Sequence, residues 1–394
     1  MALWELDPSW LPGPLGKIGK KELHLWLGGW IADRVRKRAS VRSTEGLRPL
    51  LFCVCDHYEP LHGQGETASI EEADETMMDR AIARVQRWRA EYPKLERFRD
   101  ASGRAPRHTF FFPGEQYHPR LIEPIAELCA AGFGEVELHL HHDNDTRATL
   151  RTSLEKALAS LETHGLVPQR NGKRAWAFIH GNWCLANGRR DGRWCGVDDE
   201  LELLYELGCY ADFTFPSAPD ESQPGIVNAI YYPTGNLSKR RAYEQGQRVR
   251  VGTQKQERLL FIQGPIALTR RPHSTKVRIE SSAIDWSDPP SSARLRTWVD
   301  QNVRVEGRPE WVFVKVHTHG APERNAEVML GAHNMDLHER LAKKYNDDRF
   351  WQLHYVSARE MYNAARAAMD GKSGSPAAYF DYEVPPAPRV CCKP

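Results

Sequence analysis

The chain has 394 residues, of which 41% are hydrophobic and 27% are charged. This composition is typical of a globular protein with a large core and argues against disorder. The 54 basic and 52 acidic residues give a formal net charge of +2, and no basic run is interleaved with aromatic residues. Composition therefore gives no support for nucleic-acid binding.

The cysteines and the N-terminus indicate a compartment. Eight cysteines are scattered without CxxC spacing, at positions 53, 55, 129, 184, 195, 209, 391 and 392. Several lie within apolar runs, which predicts buried free thiols in a reducing environment. No cleavable signal is evident, and the apolar stretch at 25–32 is too short to span a bilayer. We expect a cytoplasmic protein.

Residues 1–45 mix proline, glycine and basic positions and are predicted to be an N-terminal extension. The stretch HLWLGGWIADRVRKRA places tryptophans beside a basic flank. It predicts either a helix docked on the main domain or a peripheral contact with the inner membrane through residues 25–40. No obligate protein partner is evident.

Residues 46–370 alternate between short apolar runs and segments of helical periodicity. The apolar runs predict strands that begin near residues 47, 108, 135, 175, 211 and 311. The periodic segments predict helices over 73–92, 119–131, 152–165, 198–207, 292–302 and 358–369. An irregular, arginine-rich region at 233–289 carries one further strand, LLFIQGPIAL. This rhythm predicts an α/β fold with a parallel sheet, followed by a flexible tail at 371–394.

Polar side chains follow four of the predicted strands, at the rim where parallel α/β folds carry their sites. The positions are Asp56, His57, Glu59, His139, His141, His142, Asp143, Asp145, His180, Asn182, His317 and His319. HLHHDND stands out because it offers imidazole and carboxylate ligands within reach of one ion. Strand alternation places His139 and His141 on one face and Leu138 and Leu140 on the other. The sequence therefore predicts a metal site here.

Simpler roles remain open for these residues. Asp56 could cap the helix that follows its strand, and His317 with His319 could form an exposed pair.

The block HTFFFPGEQYHPRLIEPIAELCAAGFGEVELHLHHDND (108–145) resembles the polysaccharide deacetylase superfamily, which includes the family-four carbohydrate esterases. The resemblance extends over roughly residues 48–368, carried outside this block mainly by segment order. It implies a polysaccharide-deacetylase-like (β/α) barrel over residues 46–370, irregular and with seven or eight strands. It also implies a divalent metal, zinc in the first place, with nickel, cobalt or manganese as alternatives.

Carried over by position, the resemblance assigns a base and an acid: Asp56 and His317. It assigns three metal ligands at the ends of two strands: His57, His139 and Asp143. His141 or His142 could replace Asp143 in this set. Four more residues are expected to bind substrate: Tyr117, Asn182, Trp183 and His319. The family's Arg-Pro-Pro-Tyr segment is replaced here by HGNW, so the arginine that orients the base is missing.

The resemblance implies a metal-dependent deacetylase of an N- or O-acetylated sugar, glycan or lipid-linked intermediate, in surface polysaccharide or glycoconjugate metabolism. The altered motifs leave two alternatives. One is hydrolysis of a non-sugar amide or cyclic ureide. The other is a catalytically silent glycan-binding or scaffold protein, although the replaced residues are still potential ligands and proton carriers.

Overall fold

The computed structural model describes residues 2–10, 16, 19–40, 46–63, 69–270 and 276–391. The α-helices that lie within these ranges are α1 (Leu23–Ser40), α2 (Glu75–Glu91), α3 (Pro119–Ala130), α4 (Arg147–Thr163), α5 (Glu200–Glu206), α6 (Ser292–Asp300), α7 (Glu323–Leu330), α8 (Ala332–Tyr345), α9 (Ala358–Met369) and α10 (Pro388–Cys391). The strands are β1 (Arg48–His57), β2 (His108–Pro113), β3 (Gly134–Leu140), β4 (Gln169–Arg170), β5 (Lys173–Arg174), β6 (Trp176–His180), β7 (Cys209–Asp212), β8 (Ile230–Pro233), β9 (Gly246–Arg248), β10 (Leu260–Ile262), β11 (Ala267–Arg270), β12 (Val277–Glu280), β13 (Ala283–Ile284), β14 (Val312–Thr318) and β15 (Trp351–Tyr355).

One mixed sheet organises the described part of the chain. Its order is β13-β14-β1-β2-β3-β6-β7-β10-β8-β9, and β15 also pairs with β1. From β13 to β10 the neighbours are parallel, whereas β8 and β9 continue antiparallel. The sheet curls into a half-barrel, and its end strands β13 and β9 do not pair with each other in the described residues. The α/β class predicted from the sequence is confirmed.

The two faces of the sheet have different cores. On the outer face, alternate strand residues such as Val54, Leu138 and Val316 pack under helices α2 to α8. On the inner face, residues such as Cys53 and Phe313 pack against α9. Every residue of α9 is buried, since this helix lies inside the half-barrel.

The N-terminal helix α1 is docked on the domain. Trp26 is fully buried in a small cluster with Val227 and Ile266. Lys37 donates through Nζ to the carbonyl of Gln301 at 2.7 Å. The docked-helix alternative therefore describes this segment, and a membrane contact through residues 25–40 stays a prediction. No helix in the described ranges is long and apolar enough to cross a membrane.

The C-terminal segment departs from the predicted flexible tail. Phe380 and Val384 are buried in the inner core, and Arg366 binds Glu383 at 2.8 Å. The segment is rich in proline and glycine, but its few apolar and acidic residues meet partners on α9. Residues 392–394 lie outside the described residues.

The six cysteines from Cys53 to Cys209 are free and buried, as the sequence predicts. The predicted helices and strands match observed elements to within a few residues, except that α4 begins five residues early, at Arg147 rather than 152. Helices α7 and α8 and strand β15 were not predicted from the sequence.

Candidate metal centre

Five polar side chains meet at the carboxyl edge of the parallel strands, where β1, β3 and β14 end. We call them the Glu59 cluster: His57, Glu59, His139, His141 and His319. Two overlapping groups within it, one of His57, Glu59 and His319 and one of Glu59, His139 and His141, have ligand atoms within 4.8 Å of one another. The cluster combines residues that are up to 262 positions apart, because parallel strands bring their carboxyl ends to one edge.

One carboxylate oxygen lies at the centre of the cluster. Glu59 Oε1 is 3.4 Å from Nε2 of His139, 3.8 Å from Nε2 of His141 and 3.7 Å from Nε2 of His319. Ligand atoms that bind one tetrahedral zinc ion at about 2.0–2.1 Å lie about 3.3 Å apart. The spacing among Glu59, His139 and His141 is therefore close to that of a metal ligand set, whereas His319 falls in a separate group with His57 and Glu59.

Neighbouring groups orient two of these imidazoles. His139 Nδ1 is 2.8 Å from the carbonyl oxygen of Ile179, and His141 Nδ1 is 2.6 Å from Glu115 Oε1. Each contact turns Nε2 of the ring toward Glu59, an arrangement typical of metal-binding histidines. His139 Nε2 and Glu59 Oε1 are buried and have no hydrogen-bond partner among the described residues. These atoms fit a bound divalent ion.

The charge of Glu59 also suits a cation. Burial by itself raises the pKa of Glu59, but the imidazoles of His141, His139 and His62 outweigh it and hold this pKa well below its ordinary value. Burial lowers the pKa of His141, but Glu59 and Glu115 together raise it to about 9. Glu59 is therefore ionised at neutral pH, the form in which a carboxylate binds metal, whereas His141 carries a proton that a bound ion would displace.

His317 lies next to His57 of the cluster, on the inner face of the sheet. The His57 ring centroid is 4.7 Å from that of His319 and 6.1 Å from that of His317. Burial holds the pKa of both His57 and His317 well below its ordinary value. Both rings are therefore neutral at pH 7, so His317 does not carry in advance the proton that the predicted acid role requires.

Asp56 is separated from the cluster by the plane of the sheet. Adjacent strand residues alternate between faces, so Asp56 points outward while His57 points inward. Asp56 Oδ2 lies 2.8 Å from His108 Nε2, and Oδ1 accepts the Gly320 N–H at 2.6 Å. A Cβ on Gly320 would lie 2.1 Å from Asp56 Oδ2. Asp56 thus fixes the turn after β14 that carries His319.

The other predicted site residues lie at varying distances from the cluster. Trp183 is adjacent, with its ring centroid 6.2 Å from that of His57. Asn182 precedes it with a positive φ of 54°. Asp143 is exposed, and its Oδ1 accepts the N–H of Trp194. The structure therefore does not bring Asp143 to the Glu59 cluster.

Tyr117 follows the turn after β2 and is not part of the Glu59 cluster. It lines a cavity of about 230 Å³ together with Glu115, His141 and His142. Its hydroxyl is 3.0 Å from His164 Nε2. His142 turns away from Glu59 toward Glu200, with Nε2 3.5 Å from Oε1 of that residue.

Sequence reasoning did not identify Glu59 as a metal ligand, and it did not identify Glu115 as the residue that orients the ring of His141. Glu59 follows β1 by two residues, so its strand-end position was the available signal. Glu115 belongs to the turn after β2, where the pattern gave no reason to connect it with His141.

The chain was compared with known proteins in two ways. No protein-family model matches it, and no curated protein matches its sequence significantly. What the chain itself provides is an α/β half-barrel whose carboxyl edge carries buried groups that could hold a metal ion.

Proposed function

We propose that this protein is a zinc-dependent hydrolase that removes acyl groups from an acetylated sugar or glycan intermediate. We further propose that the half-barrel is a divergent (β/α) barrel of the polysaccharide deacetylase type, acting in the cytoplasm. One observation carries the proposal: Glu59 and three histidines meet at the carboxyl edge of the parallel strands. This edge is where parallel α/β folds place their active sites.

Glu59, His139 and His141, whose ligand atoms lie within 4.8 Å of one another, would hold the ion. When bound, a divalent ion supplies Lewis-acid polarisation of a carbonyl oxygen and lowers the pKa of water. Glu59 supplies negative charge to this set, and Glu115 fixes the ring of His141. Asp56 is a positioning residue in this scheme, because its contact with Gly320 fixes the turn that carries His319.

His317 is our candidate for proton transfer. Its Nδ1 is buried and has no hydrogen-bond partner among the described residues, and the ring is adjacent to His57. A neutral imidazole at this position can take a proton from attacking water and return it to the departing amine or alkoxide. The acyl C–N or C–O bond then breaks, giving a carboxylic acid and the deacylated sugar.

Trp183 would form one wall of the substrate site. Its ring lies 6.2 Å from His57 and 6.3 Å from His319, measured between ring centroids. Aromatic faces beside polar groups suit the apolar face of a sugar ring. This placement favours a sugar derivative over a small linear amide.

The test is release of acetate from a panel of N- and O-acetylated sugars and nucleotide sugars. We expect release by the zinc-loaded protein, none after chelation, and recovery on adding zinc. His139→Ala removes a central ligand, so we expect release to fall by about 100-fold or more. His333→Ala removes an exposed imidazole and serves as the matched control.

Acetate release that survives chelation and the His139→Ala substitution would overturn the proposal. Metal binding without release from any acetylated compound would instead favour a silent glycan-binding protein.

A further inference from the structure

A second group of metal-ligating side chains lies beyond the Glu59 cluster. We call it the His142 cluster, and its members are His142, His180, Cys195 and Glu200. One ligand atom of each lies within 4.8 Å of those of the other three, and all four side chains are buried. Cys195, His180 and Glu200 have no exposed surface, and the His142 side chain is 4% exposed.

Glu200 joins the other three members. Its Oε1 is 3.5 Å from His142 Nε2 and 3.6 Å from His180 Nε2. Its Oε2 is 3.5 Å from Cys195 Sγ. Zinc at about 2.0–2.3 Å from nitrogen, oxygen and sulfur ligands requires distances of this order between them.

Each histidine of this cluster has a polar neighbour beside its Nδ1 atom. His142 Nδ1 is 3.1 Å from Asp145 Oδ2, and His180 Nδ1 contacts the carbonyl of Gly181. Both rings therefore present Nε2 to Glu200. In the described residues, four buried atoms of the cluster have no hydrogen-bond partner: His142 Nδ1, His142 Nε2, His180 Nε2 and Glu200 Oε1. Buried polar atoms left in this way are costly unless something binds them.

The sulfur of Cys195 also has polar contacts that suit a metal ligand. Cys195 Sγ accepts the backbone N–H groups of Asn187 at 3.2 Å and Val197 at 3.4 Å. The two N–H donors favour the thiolate, but burial and Glu200 raise the pKa of this thiol, so a bound cation would be needed to ionise it. With an ion bound, a thiolate, a carboxylate and two neutral imidazoles would balance the charge of one divalent cation.

The backbone around the cluster gives an independent indication. Between His180 and Glu200 there is no strand and no α-helix. Five residues there that are not glycine have positive φ: Asn182, Trp183, Ala186, Asn187 and Trp194. Such conformations are unfavourable where the residue is bulky, and persist only when the surroundings impose them. A bound ion would supply that restraint.

We propose that His142, His180, Cys195 and Glu200 form a second, closed metal site that takes zinc and holds the 181–199 segment in place. All four ligands come from the protein, which is the pattern of structural zinc sites. The site joins the end of β3, the end of β6 and the first turn of α5. It thereby positions Trp183 beside the Glu59 cluster.

The site is tested by metal content and by the spectrum of cobalt-substituted protein. We expect about two zinc ions per chain in the wild type and about one in either His139→Ala or Cys195→Ala. Cobalt bound by a thiolate gives a charge-transfer band in the near ultraviolet. The Glu59 cluster contains no sulfur, so this band reports the His142 cluster alone.

The wild type and His139→Ala should both show the cobalt–thiolate band, and Cys195→Ala should lose it. Cys184→Ala removes another buried thiol of the same segment, whose Sγ donates to the Asn182 carbonyl, and should keep the band. Absence of the band in cobalt-loaded wild type would overturn the proposal, and so would loss of all zinc from His139→Ala. A band without any acetate release would uphold this site while the proposed hydrolase fails.

Discussion

Glu59 is the residue on which the candidate catalytic centre depends. A buried carboxylate is unfavourable unless positive charge or hydrogen-bond donors surround it. Here His62 Nδ1 contacts Oε2 at 2.7 Å, while Oε1 faces three imidazole nitrogens. Several potential ligand nitrogens therefore lie close to Glu59 Oε1. For this reason we place the ion next to this oxygen.

Glu115 offers a test of this arrangement at a single residue. It contacts Nδ1 of His141, and such outer carboxylates raise the basicity of a histidine ligand. We expect Glu115→Gln to lower the affinity of the Glu59 cluster for zinc by about 10-fold to 100-fold. Competition with a chelating dye measures this affinity.

Glu123→Gln makes the same chemical change at an exposed position of α3 and serves as the control. Equal zinc affinities in Glu115→Gln and the wild type would show that His141 is not a ligand.

At the scale of elements, α9 is unusual because it is buried on all sides within the half-barrel. Its alanines allow the sheet to approach closely, and its polar residues meet partners inside. Arg359 binds Glu135 of β3 through Nε at 2.9 Å and through Nη2 at 2.8 Å. Burial alone would raise the pKa of Glu135, but Arg359 and Arg107 lower it to about 2.

We expect Arg359→Met to lower the free energy of unfolding by about 3–5 kcal/mol. The physical reason is that removing one partner of a buried ion pair leaves the other charge without full compensation. Urea denaturation followed by circular dichroism measures the loss.

Asp381→Asn removes another carboxylate that contacts Arg359, and this carboxylate is 62% exposed. An exposed pair contributes at most about 1 kcal/mol, so the two variants should differ clearly. A loss for Arg359→Met no larger than that for Asp381→Asn would contradict the structural role of α9.

At the scale of the whole molecule, the pH dependence of stability reflects buried titratable groups such as Asp212 at the end of β7. Burial raises the pKa of Asp212 from 3.8 to about 7, although Thr214 donates to its carboxylate through N–H and Oγ1. Between these values the folded protein holds a proton that the unfolded chain releases. The contribution of Asp212 to stability is therefore present at low pH and is lost as pH rises toward 7.

Asp212→Asn should remove this contribution. We expect the difference in free energy of unfolding, wild type minus variant, to fall steadily between about pH 4 and pH 7, at up to ~1.4 kcal/mol per pH unit. Urea denaturation of both proteins in the same zinc-supplemented buffers gives the difference at each pH. Parallel pH profiles would mean that Asp212 titrates in its ordinary range.

The sequence by itself determined the α/β class, most helices and strands, and the strand ends that carry polar residues. Apolar runs and helical periodicity are local properties, so elements such as β1, β3 and α3 could be predicted from neighbouring residues. Alternation along a strand also fixed the face of His139 and His141.

Only the tertiary structure decided which polar residues meet. Asp56 and His57 are neighbours in sequence, yet the sheet separates them, and Asp56 binds His108 on the outer face. Cys195 and Glu200 lie after irregular backbone, where neither periodicity nor spacing predicts side-chain direction. The position of α9 inside the half-barrel is likewise a long-range choice, because local pattern defines a helix but not the face on which it packs.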